Sequence, residues 1–71
     1  MNRLYKAFII PFLPMRNGYY GVVDLDSCVY AYEYKAWVSN EEEIDLIKIG
    51  YSGGLSIDVI PHKSIKEVLG L

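Results

Sequence analysis

The segment Cys-Val-Tyr-Ala-Tyr-Glu-Tyr-Lys-Ala-Trp-Val, residues 28–38, constrains this chain more than any other. Successive side chains of an extended strand point to opposite faces, so Tyr30, Tyr32 and Tyr34 share one face while Glu33, Lys35 and Trp37 share the other. Aromatic mass on both faces is more than one small core can cover. The chain has 71 residues, enough for a single domain, and a domain of that size buries only about 60% of the surface its unfolded form exposes. Small domains make up that deficit with disulfides, a metal or association. A single cysteine, Cys28, excludes an internal disulfide, and one cysteine with one histidine, His62, is too few for the usual four-ligand structural zinc site. Association is the remaining device, and a chain that is 52% hydrophobic with seven tyrosines suits it.

The formal net charge of -2 is unevenly spread. The first twenty residues carry Arg3, Lys6 and Arg16 and no acid, whereas residues 21–47 carry seven acids against Lys35 alone. Duplex nucleic acid binders draw most of their affinity from neutralising phosphates with basic residues. This chain lacks that excess, so nucleic acid is not an expected partner. No window approaches the roughly 20 apolar residues of a membrane span. The run from Ala7 to Leu13 follows Arg3 and Lys6 but is interrupted by Pro11 and lacks a small-residue cleavage site, unlike a signal peptide. The expectation is a cytoplasmic protein with a reduced thiol and no membrane contact.

Around the aromatic strand, the pattern predicts a mainly β fold. The first strand is expected over about 4–10, with a tail towards Leu13, because prolines 11 and 14 cannot donate to a ladder. Asn17-Gly18 then reads as a hairpin turn leading to a second strand over 19–25. Asp24 to Ser27 supplies turn-forming side chains before the third strand. The stretch from Ser39 admits two readings. Ser39 with Glu42 resembles a helical capping box, but Ile44, Ile47 and Ile49 are β-branched and favour a fourth strand. A glycine loop at 50–54 leads to a fifth strand over 55–60, ended by Pro61. Ile65, Val68 and Leu69 fall at helical spacing, with Gly70 as the stop. The predicted architecture is a small antiparallel meander or half-open SH3-like barrel of four to five strands, closed by a short C-terminal helix.

Candidate chemistry is sparse. Cys28 and His62 could form a thiol nucleophile and base only with an orienting third group, and Cys28 opens an apolar strand, where cysteine behaves as a small hydrophobe. Asp24 and Asp26 lack the ligand spacing of a calcium loop. Gly50-Tyr51-Ser52-Gly53-Gly54 lacks the lysine of a phosphate-binding loop. No catalytic residue, metal or cofactor is therefore expected. The tyrosine row carries the functional expectation: a protein-interaction module that binds another protein and itself. It has the size of the small inhibitors and adaptors that phages and mobile elements encode. Tyr30, Tyr32, Tyr34 and Trp37 are the expected contact residues, with Glu41, Glu42 and Glu43 selecting a basic partner surface. The alternative is a module that stacks a small ligand or a single nucleic-acid strand on the tyrosines.

Overall fold

The computed structural model describes residues 3–39 and 41–71. Residues Met1, Asn2 and Asn40, the last within the two-way stretch after Ser39, lie outside them. Five strands, β1 (Leu4–Ile9), β2 (Tyr19–Asp24), β3 (Cys28–Val38), β4 (Glu42–Tyr51) and β5 (Ser56–Val59), form one antiparallel sheet in the order β2-β1-β5-β4-β3. A short α-helix, α1 (Lys63–Leu69), follows β5. The mainly β class expected from the sequence holds, and Glu42–Tyr51, where the sequence also admits a helix, is strand.

The strand order forces the sheet to curl. Strands β2 and β3 lie on opposite edges, yet only Leu25, Asp26 and Ser27 join them. Four inter-strand spacings in a flat sheet total about 19 Å, whereas the four residue steps from Asp24 to Cys28 reach about 14 Å at most. The edges therefore bend towards each other into an open half-barrel. Asp24 shapes the link: its carboxylate accepts from the Asp26 N–H at 2.9 Å and from the Ser27 hydroxyl at 2.8 Å. Asp26 in turn accepts from the Arg3 N–H at 2.8 Å. Leu25 is buried over the end of the core, and the Tyr51 hydroxyl donates to the Asp24 carbonyl at 2.9 Å.

Inside the curl, Ala7, Ile9, Val23, Leu25, Ile47, Ile49 and Val59 pack with Ile65 of α1. The helix is short, so its position comes from that buried isoleucine and from its caps. His62 accepts at Nδ1 from the Ser64 N–H at 3.2 Å, and Gly70 adopts φ 74°, which frees its N–H and that of Leu71 to reach back to Glu67 and Lys66. Ile10, Val38 and Leu46 are buried outside this cluster. Leu46 pairs with Tyr34 and so shares the tyrosine face. The connection from β1 to β2 runs to this side of the molecule, where the Ser39 N–H donates to the Pro14 carbonyl at 2.9 Å and Arg16 pairs with Glu42 at 2.7 Å.

That connection corrects one expectation. Ile9 pairs with Tyr19, so the loop spans residues 10–18 and Asn17-Gly18 is not a two-residue hairpin turn. Pro11 and Pro14 end the ladder early, and Gly18 meets a different demand. A Cβ placed there would sit 2.4 Å from the Ile9 carbonyl oxygen, a contact with backbone that cannot swing aside. The glycine turn is also narrower than expected: Gly50 belongs to β4, and the chain reverses at Ser52–Gly54, where Gly53 and Gly54 take φ 83° and 80°. Gly18→Ala is expected to lower the unfolding free energy by about 1–3 kcal/mol. Leu46→Ala is expected to cost about 2–5 kcal/mol even though it lies outside the main cluster. Urea titration followed by Trp37 fluorescence measures both.

Candidate functional site

Strand β3 is a sheet edge that pairs with β4 alone, and its eleven residues make it the longest strand. Its register with β4 places Tyr30 opposite Gly50, Tyr32 opposite Lys48 and Tyr34 opposite Leu46. The three rings form a continuous row on the outer face. Tyr30 and Tyr32 stack with centroids 6.1 Å apart and planes 15° from parallel, and Tyr32 and Tyr34 lie 5.8 Å apart at a tilt of 53°. Tyr30 and Tyr32 remain 47% and 46% exposed. Gly50 makes the row possible, because a Cβ there would fall within the Tyr30 ring, 1.9 Å from its nearest carbon.

One end of the row is anchored. The Tyr34 hydroxyl donates a short hydrogen bond of 2.5 Å to the Asp58 carboxylate on β5, crossing over β4. Lys48 on the intervening strand lies 3.7 Å from the same carboxylate and 5.5 Å from the centre of the Tyr34 ring. Partial burial raises the Tyr34 phenol well above its ordinary value, and the bond to Asp58 and that carboxylate's negative charge push it the same way. Burial also raises Tyr51, with the charge of Asp24 adding to it. Tyr34 is therefore a structural pivot, whereas Tyr30 and Tyr32 present free surface.

The remaining expected contact residues are not brought to one place. Trp37 is 64% exposed and pairs with Glu43 on the opposite face of the sheet. Glu42 pairs with Val38 on the tyrosine face and is bound by Arg16. Glu41 occupies the turn itself at φ 55°. The three glutamates thus point their charge in divided directions, and one of them is already neutralised. On the face with Trp37, Glu33 pairs with Lys66 of α1 at 2.7 Å and Lys35 pairs with Asp45 at 3.6 Å. These four side chains help line an open groove of about 380 Å³ beside the helix, where each charge meets an opposite one.

Cys28 is half-buried against the main core, and His62 caps α1. Among the described residues, no three His, Cys, Asp or Glu side chains converge, and no helix is long and apolar enough to cross a membrane.

The sequence reading did not single out a second apolar patch. Phe12, Met15 and Tyr19 surround a cavity of about 200 Å³ with Pro11, Asn17 and Gly18, and Phe12 is 73% exposed. Tyr20 lies nearby on the outer face, 81% exposed, its ring edge-on to Phe8 at 5.1 Å. The two prolines carried the available signal: a ring such as Phe12 held between them in a loop has no ladder to place it in a core.

No family model, curated protein or solved structure matches this chain.

Because the phenol of Tyr34 is held protonated in the folded state, its contribution to stability is complete below the ordinary tyrosine pKa. It is lost as pH rises through the higher folded value, since the unfolded chain releases that proton first. In Tyr34→Phe, stability is expected to fall less steeply as pH rises through the alkaline range, and tyrosinate absorbance to show one fewer late-titrating phenol. That variant should also be less stable at neutral pH by about 1–2 kcal/mol for the lost bond to a carboxylate. Circular dichroism and absorbance across an alkaline titration check both outcomes.

Proposed function

We propose that this protein is a non-enzymatic interaction module, a small inhibitor or adaptor acting in the cytoplasm, whose contact surface is the tyrosine row of β3. The observation that carries the proposal is the exposure of Tyr30 and Tyr32 on a long edge strand that, among the described residues, has no second strand beside it. Tyrosine gives a large contact area at low conformational cost and keeps a hydroxyl for the partner's polar groups, which is why it concentrates at protein contacts. Anchoring through Tyr34 and Asp58 supports the same reading, since a row fixed at one end loses less freedom on binding. Trp37 and the three glutamates, divided between faces, contribute at the margin rather than as a single contact with the tyrosines.

A stacked ligand fits this geometry less well. Tyr30 and Tyr32 already stack on each other, and Lys48, the basic side chain paired opposite Tyr32, is engaged by Asp58.

Affinity capture from native lysate with purified wild type and with Tyr32→Ala tests the proposal. Retention of a defined protein by wild type, and its loss with a folded Tyr32→Ala, is the expected result. Equal capture by both, or a saturable Trp37 fluorescence response to single-stranded oligonucleotides that Tyr32→Ala abolishes, would overturn it.

A further inference from the structure

The geometry points to a second copy of this chain as an occupant of the β3 edge, paired antiparallel about a two-fold axis through Tyr34. This inference rests on the reading of β3 as a contact edge and names the partner. Strand β3 offers its outer backbone groups to no other strand of the sheet, and an extended segment can add to such an edge through main-chain hydrogen bonds. What selects the occupant is the side-chain pattern of β3 read against itself.

Directly opposed residues of an antiparallel pair share a face, so a two-fold pairing of β3 must match residues of the same parity. With the axis at Tyr34, Glu33 of each copy stands opposite Lys35 of the other, which gives two ion pairs by symmetry. Each pair would extend a charge series that the monomer already contains. Lys66 binds Glu33 and Asp45 binds Lys35, so the signs would alternate from the helix of one copy to β4 of the next. Side-chain size also agrees. Trp37 stands opposite Ala31 and Tyr32 opposite Ala36, each large ring facing one of the two alanines of the strand, while Tyr30 faces Val38. Moving the axis by one residue destroys the match: centred on Glu33 it opposes the two glutamates, and centred on Lys35 it opposes the two lysines. Like charges directly opposed in a ladder are destabilising. The chosen register also sets the two tyrosine rows end to end on one face.

Sedimentation of the purified chain over a concentration series, with charge-reversed variants, tests the inference. Wild type is expected to dimerise and to weaken as salt is raised. Glu33→Lys alone and Lys35→Glu alone each turn both cross-strand pairs repulsive and should weaken self-association by about tenfold or more. Mixed together they should dimerise again, because every opposed pair is then of opposite sign. Circular dichroism confirms that each variant is folded. Should Glu33→Lys or Lys35→Glu fail to fold beside Lys66 or Asp45, the neutral variants Glu33→Gln and Lys35→Gln replace them and should weaken the dimer by a smaller factor. Wild type that stays monomeric up to its solubility limit overturns the self-pairing, and leaves the Tyr32→Ala capture result to stand or fall separately. A dimer indifferent to these charges overturns this register.

Discussion

Strand β4 carries apolar side chains on both faces, and both must be covered. Leu46 is fully enclosed on one face, Ile47 and Ile49 on the other. Burying such side chains is worth about 1.5–3 kcal/mol each, so the cover goes where it protects them. Helix α1 closes the side of Ile47 and Ile49 by inserting Ile65. On the far side the connection over 10–18 is tied down through Pro14 and Arg16. On β3, Tyr30 and Tyr32 are left about half exposed. Their hydroxyls make that exposure tolerable in water.

Within the row the three tyrosines differ in character although the sequence presents them as equivalent. The Tyr34 hydroxyl reaches across β4 to Asp58, with Lys48 balancing the carboxylate. Such a network gains by being complete: the carboxylate has both a donor and a cation, and no buried side-chain polar atom among the described residues lacks a partner. Tyr30 and Tyr32 stack on each other, and Tyr32 also meets the Tyr34 ring at a tilt. A row built this way has one end tied by a hydrogen bond and one end held by ring contacts.

Local patterning was legible where periodicity was long and unambiguous. The bounds of β3 could be read directly from alternation over residues 28–38, and the helix from Ile65, Val68, Leu69 and Gly70. The stretch after Ser39 was legible through its β-branched isoleucines in spite of the capping-box pattern. What could not be read was long-range. Asn17-Gly18 mimics a hairpin turn because the same residue that tolerates a left-handed backbone also permits close approach, and only the second use applies under the Ile9 carbonyl. The strand order was hidden because β1 meets β5 through a brief ladder at Ile9 and Val59, too short to leave a pattern. The division of Glu41, Glu42 and Glu43 among a turn and two faces likewise depends on a backbone reversal that composition does not reveal.

The brief ladder between β1 and β5 also bears on how the molecule reaches its shape. Hairpins β1–β2 and β3–β4 can zip from local contacts, whereas Ile9 and Val59 come from nearly opposite ends of the chain. Closing so large a loop for so few bonds is entropically the least rewarded step. This seam is the narrowest join in the sheet, and the two hairpins on either side of it are held in one sheet across it.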